Sequence, residues 1–140
     1  MIIYDAENQI AGRLASIIAK KLLEGEEIVV VNAEKAIISG EPQSVIEGFK
    51  RKVQRGDAHK GPFYPKKPDR IFRRIVRGML PWHKHKGREA FKRLKVYEGV
   101  PEELKGKQFI KTEEANGEKL RTKYITIKEI SIAIGGKKVE

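Results

Sequence analysis

Ile28-Val29-Val30-Val31 is an uninterrupted run of β-branched residues, and its reading decides the fold class. A strand with one face in water alternates apolar and polar residues, whereas a strand with no polar position is covered on both faces, as in parallel sheets. Toward the N-terminus, Ile10, Leu14, Ile17, Ile18 and Leu22 recur at helical spacing, with small Ala11, Gly12 and Ala15 beside them and Gly25 as a stop. Ile2-Ile3-Tyr4 fits a short first strand, followed by a polar loop from Asp5 to Gln9. Strand, helix and strand in about 30 residues form a βαβ unit, which requires a parallel sheet and a right-handed crossover.

Downstream, Ala36-Ile37-Ile38-Ser39 predicts a short third strand. Pro42 opens a helix on which Val45, Ile46, Phe49 and Val53 share one side while Arg51, Lys52 and Arg55 point elsewhere. Gly56 to Pro68 reads as a loop rich in Gly, Pro and Lys that encloses Phe63 and Tyr64, too long for a plain connector. Val96-Tyr97 predicts another strand, Pro101 to Leu104 a helical turn, and Gly106 to Lys123 an irregular polar segment crossing the surface. Thr126 and Glu129 have the spacing of a capping box ahead of Ile130, Ala133 and Ile134, with Gly135-Gly136 as a stop.

Between these parts lies the most unusual stretch, Lys66-Lys67-Pro68-Asp69-Arg70-Ile71-Phe72-Arg73-Arg74-Ile75-Val76-Arg77-Gly78-Met79-Leu80-Pro81. At about 100° per residue, Arg70, Arg73, Arg74 and Arg77 fall in one arc and Ile71, Phe72, Ile75, Val76 and Met79 in the opposite one. Asp69 marks the start of this helix, and Gly78 with Pro81 its end. Solvated helix faces mix charge signs, because like charges three and four residues apart repel; this face has no acid to offset them. Arginine also presents a planar fork of donors that pairs with phosphate oxygens bidentately and stacks on bases. The pattern therefore calls for an anionic partner. Reversing Arg73 and Arg77 to Glu is expected to leave folding intact while steeply weakening association with that partner.

The charge of the whole chain points the same way. Its 140 residues, 39% apolar, suffice for one domain with a real core, and the net charge is +11. That excess is not spread evenly. Residues 1–50 carry 5 Lys and Arg against 8 Asp and Glu, residues 51–95 carry 16 against 3, and residues 96–140 carry 9 against 8. The middle third holds the surplus, interleaved with aromatic rings. Arg51, Arg55, His59, Lys60, Lys66, Lys67, the four helical arginines, Trp82, His83, Lys84, His85, Lys86, Arg88 and Lys92 are the candidate RNA-binding residues. Cations meet phosphates, and flat rings stack on unpaired bases. Trp82, beside Pro81, also suits a core cap, and Phe72 and Phe91 read as core. The Trp82 to Lys86 stretch reads as a loop, followed by a helix from about Gly87 with Ala90, Phe91 and Leu94 inward.

Other chemistries find little support. There is no cysteine, hence no thiolate catalysis and no Cys-based zinc site. Gly12 stands alone where a dinucleotide fingerprint needs three glycines, and Gly135-Gly136-Lys137-Lys138 has no helix after it to make a phosphate loop. His83 and His85 are flanked by lysines, an environment hostile to a metal. No basic leader precedes a long apolar run and no stretch approaches 18 apolar residues, so a cytoplasmic, membrane-free protein is expected. Abundant Lys, Glu and Ile with only three Asn and four Gln lean toward a thermophilic source. The rival class is a small α/β enzyme acting on RNA, for which Asp5 with Asn32 is the only candidate pair. A free-standing DNA binder lacks any helix-turn-helix signature.

Val30-Val31-Asn32-Ala33-Glu34-Lys35, Ser39-Gly40, Pro68-x-Arg70-Ile71, Val76-Arg77-Gly78-Met79-Leu80-Pro81 and Leu94-Lys95-Val96-Tyr97-x-Gly99-x-Pro101 occur in this order. In this the chain resembles the universal large-subunit ribosomal protein L13 family in its archaeal form, from the first strand to about Leu104. The resemblance implies a single three-layer α/β/α domain on a four-stranded parallel sheet, with residues 1–104 as the α/β core, 51–95 as its basic RNA-binding segment and 105–140 as a C-terminal extension. It further implies a structural role in the large subunit, contacts with large-subunit ribosomal RNA and neighbouring ribosomal proteins, and no cofactor, small-molecule substrate or catalysis. The family's RNA-facing motif falls on Arg70 to Arg77 and Gly78 to Pro81. Two departures are visible: the link Gly25-Glu26-Glu27 is shorter than in bacterial relatives, and the long basic extension of eukaryotic relatives is missing after Glu140.

Overall fold

A computed structural model describes residues 1–54 and 65–135 of the chain, with the side chain of Gln54 excepted. The opening βαβ unit forms as expected: β1 (Ile2–Asp5), α1 (Ala11–Leu23) and β2 (Ile28–Val31). β1 and β2 run parallel with Ile2 opposite Ile28 and Asp5 opposite Val31, and all four residues of β2 are buried. Beyond β2 the chain forms β3 (Ile37–Ser39), α2 (Pro42–Gln54), α3 (Pro68–Arg77), α4 (His85–Lys92), β4 (Leu94–Val96), β5 (Tyr124–Thr126) and α5 (Ile127–Ala133). The result is an α/β domain with five helices and a mostly parallel sheet among the described residues.

The sheet differs from the four-stranded parallel one that the resemblance implies. Three strands pair in the order β1-β2-β4, with Ile28 opposite Leu94, and β3 instead pairs antiparallel with β5, Ile37 opposite Thr126. Two local features divert β3. Asn32 adopts a left-handed conformation (φ 58°), which a short polar side chain tolerates, and a 3-10 turn over Ala33–Lys35 then carries the chain out of the sheet. The free edge of β1 is meanwhile occupied by the tail: the N–H of Asp5 bonds the Ile110 carbonyl at 3.0 Å and the N–H of Ile110 bonds that of Ile3 at 2.8 Å.

The two sheet faces are covered differently. Tyr4, Ile28, Val30, Leu94 and Val96 join α1, α3 and α5 in the main core, which includes Leu14, Ile18, Leu22, Ile71, Phe72, Val76, Ile127 and Ile130. Ile3, Val29 and Val31 on the other face meet Leu104, with Tyr97, Val100 and Phe109 beside it. The cover on this second face is irregular chain and a 3-10 turn (Glu102–Leu104), where a three-layer arrangement would place a helix.

The tail is more deeply embedded than its polar composition predicts. Ala115 is fully buried, and Ile10 donates its N–H to the Ala115 carbonyl. Buried Gln9 accepts from both the N–H and the hydroxyl of Thr112, at 3.1 and 2.9 Å, so its amide oxygen is satisfied. A side chain at Gly117 would collide with Asn8 and Ile37. At α5 the capping spacing holds, with the Glu129 N–H bonding the Thr126 hydroxyl at 3.2 Å.

Candidate nucleic-acid interface

α3 is a core helix that carries its charge on the outside. Ile71, Phe72 and Val76 are fully buried, and the helix packs against α1, α5, β4 and the turn at Ala33–Lys35. Full burial of three large apolar side chains contributes roughly 1.5–3 kcal/mol apiece, enough to hold four like charges together on the other face. Pro68 takes the first helical position, where its missing N–H costs nothing, and Asp69 lies in the first turn, where negative charge suits the helix dipole. Gly78 ends the helix in a right-handed conformation (φ −63°), so the stop comes from Pro81 and the turns after Arg77 and not from a left-handed glycine.

The four arginines divide into two rows. Arg73 and Arg77 are half-buried and stacked on rings: the Arg73 guanidinium carbon lies 4.5 Å from the centre of Phe91, and that of Arg77 lies 4.3 Å from the centre of Trp82. Phe91 and Trp82 meet edge to face at 5.2 Å. The four side chains thus form one contiguous cluster joining α3 to α4 and the turn before it, with each cation over a ring worth about 0.5–2 kcal/mol. The buried Nε of Arg73 makes no hydrogen bond among the described residues, so the ring contact is what this side chain gains here. Arg70 and Arg74 are exposed, and their guanidiniums have no ion pair or hydrogen bond among the described residues.

The turn between α3 and α4 is held by internal contacts. Arg88 donates to the Trp82 carbonyl at 2.8 Å, the N–H of Lys84 bonds the Pro81 carbonyl at 2.9 Å, and Gly87 packs so close to Pro81 that a Cβ there would overlap its carbonyl. α4 begins at His85, so His85 and Lys86 stand on a helix and not in the loop expected for them. His83, Lys84, His85, Lys86 and Arg88 are all exposed. On α4, Lys92 pairs with Glu89 at 3.2 Å and the His85 Nε2 lies 3.7 Å from the same carboxylate. The bond from Lys92 and its charge, with His85 and Arg93 behind it, hold the Glu89 carboxyl below its ordinary range. His85 and Lys92 therefore share a counter-charge that Arg70 and Arg74 lack.

The remaining candidates scatter. Lys66 and Lys67 are exposed just before α3, and the Lys66 carbonyl accepts a hydrogen bond from the Ser131 hydroxyl of α5. Lys67 opposes a group of acids electrostatically: Glu98 is raised above its ordinary value first by burial and then by Asp69 and Glu34, with Lys67 lowering it. Arg51 is exposed near the end of α2, which packs on α5 and β5. Arg55, His59 and Lys60, with Phe63 and Tyr64, lie outside the described residues. Arg93, part of the basic third, is structural: it donates to the Leu22 carbonyl and caps the C-terminal end of α1. Sequence reasoning missed the part played by Phe91. An aromatic at helical spacing reads as core, and only the partner helix reveals that its ring carries an arginine.

The rival constellation is also accounted for. Asn32 donates through Nδ2 to Asp5 Oδ1 at 3.0 Å, and the Glu7 N–H bonds the same oxygen at 3.0 Å, so the pair ties together the ends of β1 and β2. Among the described residues no three His, Asp or Glu side chains come together to hold a metal, and no helix is long and apolar enough to cross a membrane.

The model of the family described as ribosomal protein L13 matches residues 1–103, which include β1 to β4 and the whole α3–α4 unit. The chain belongs to the ribosomal protein L13 family. Three archaeal relatives, each called large ribosomal subunit protein uL13, extend the L13 match into the tail. That of Archaeoglobus fulgidus is 53% identical over 95% of this chain and 86% of its own length. Those of Methanopyrus kandleri (49%; 95% and 86%) and Methanosarcina barkeri (48%; 98% and 99%) are similar. An L13-family protein is a ribosomal structural protein and not an enzyme.

Proposed function

We propose that this chain is a structural constituent of the large ribosomal subunit, cytoplasmic, and that it binds large-subunit ribosomal RNA through α3 and the turn that follows it. Arg70 and Arg74 carry the reading: they are two exposed guanidiniums without counter-charge on a helix whose other side is locked into the core. A rigid basic surface neutralises phosphates without first having to order itself, and phosphate contacts of this kind set register and orientation on folded RNA. Lys66, Lys67, His83, Lys84, Lys86 and Arg88 flank the pair as secondary contacts, and His85 and Lys92 contribute less because Glu89 already meets them. Arg73 acts mainly by holding the surface in shape, and Arg77 and Trp82 do so while also bordering the open surface beside Arg74. Arg51, Arg55, His59 and Lys60 belong to the same proposed interface.

The division into a core at 1–104 and an extension at 105–140 is part of this proposal, with the extension offering surface to neighbouring ribosomal proteins. The names of the relatives and the family membership support the subunit assignment. Fractionation of a native lysate on sucrose gradients at low and high salt tests it. Co-migration with the large subunit that persists at moderate salt and is lost at high salt is expected, and migration at the top of the gradient in both would overturn the assignment.

A further inference from the structure

A cavity of about 370 Å³ opens to solvent beside the C-terminal end of α3, lined by Arg74, Arg77, Gly78, Leu80, Trp82 and His83. Its volume falls in the range of small-molecule sites, and its chemistry is one-sided: two arginines, an indole, an imidazole and one apolar side chain, with no carboxylate. Duplex RNA offers only phosphates and groove edges to such a surface. A nucleotide turned out of its helix offers a phosphate and a flat base together.

We propose that this cavity takes a single unpaired nucleotide of the bound RNA, its base laid against the Arg77–Trp82 stack and its phosphate on Arg74. The inference rests on the RNA-binding reading above and adds what kind of RNA the site selects. Three features favour it. The Arg77 guanidinium already lies over Trp82, so a base adds one more plane to an existing stack. Arg74 stands at the same cavity with its guanidinium unengaged by any described residue, and His83 is exposed at its wall. Gly78 leaves the space open: a Cβ built on it would touch only the Ile75 and Arg74 carbonyls at 3.5 and 3.7 Å, which is ordinary contact.

That last observation supplies the test, because Gly78→Leu fills the cavity while keeping every charge and a right-handed backbone. Trp82 is the only tryptophan, so its fluorescence reports on the site directly. The full chain and the Gly78→Leu variant, checked for folding by circular dichroism, are titrated with a short oligoadenylate, a fully paired RNA hairpin and adenosine monophosphate. The expected result is saturable quenching of Trp82 by the oligoadenylate that weakens about tenfold or more in the variant, with hairpin affinity reduced by a clearly smaller factor and its salt dependence kept, since no charge is removed. If the variant binds all three probes as the parent does, the cavity holds no nucleotide while the RNA-binding reading stands. Equal affinity for adenosine monophosphate and the oligoadenylate overturns the inference in favour of a free nucleotide. Binding of neither RNA overturns both readings.

Discussion

Arg73 and Arg77 share one charged arc of α3 with Arg70 and Arg74, yet the molecule uses the two pairs in opposite ways. The first pair is half-buried on Phe91 and Trp82 and joins α3 to α4; the second stands exposed with no partner among the described residues. One helix face therefore holds a structural row and a binding row side by side. A cation may spend its charge on a ring or keep it for a ligand, and the neighbouring element decides which. This revises the expectation that reversing Arg73 and Arg77 leaves folding untouched, since a carboxylate over an aromatic face is repelled by the ring's negative quadrupole.

The widest blow to the comparison falls on what both rows share. Phe72→Ala removes a fully buried ring under α3 and should cost about 3–5 kcal/mol in thermal or denaturant unfolding, disabling both rows together. Arg70→Glu with Arg74→Glu should separate them: unfolding stability stays within about 0.5 kcal/mol, while RNA affinity in filter binding at low salt falls by roughly ten- to a hundredfold and the salt slope drops by about 2. The mirror experiment, Arg73→Ala with Arg77→Ala, should lower stability by about 1–2 kcal/mol through the lost stacks and weaken RNA binding less than the outer pair does. Equal effects of the two double variants on both measurements would erase the distinction between the rows.

The smallest effect concerns the acids behind α3. Glu98 is raised by burial and by Asp69 and Glu34, so the folded state holds its proton more tightly than the unfolded state. Its contribution to stability is full below the ordinary glutamate range and is lost as pH rises through the raised value. Glu98→Gln, always neutral, should match the parent at low pH and exceed it at neutral pH by less than about 1 kcal/mol, because solvent screens this half-exposed group. A melting series from pH 3 to 8, with the gap widening toward the upper end, would check it.

The parts of the fold that local pattern dictates were legible in the sequence. The βαβ opening follows from Ile28 to Val31 and the spacing from Ile10 to Leu22, and the cap of α5 follows from Thr126 and Glu129. The partner of β3 was not legible, because Ile37-Ile38-Ser39 has the same composition whether it joins a parallel sheet or pairs with Tyr124 to Thr126. That choice is made by the left-handed turn at Asn32 and by Ile110 occupying the edge of β1. Burial of Ala115 and Gly117 was hidden for a related reason, since residues around them are polar and their small size, not their hydrophobicity, fits them to the core. At the candidate site, the charge count found the helix. It could not divide the arginines, because the rings that divide them lie on α4 and in the turn before it.

The pairing of β3 with β5 also has a consequence in time. A chain made from its N-terminus acquires β3, α2 and α3 long before β5 and α5 exist, so during synthesis β3 has no strand beside it and the inner side of α3 lacks one wall. The Ser131 hydroxyl that holds the chain at Lys66, immediately before the arginine helix, comes later still. Folding of this domain thus completes only once β5 and α5 have been made and released. Until then its most cationic helix lacks the wall that α5 gives it in the finished molecule.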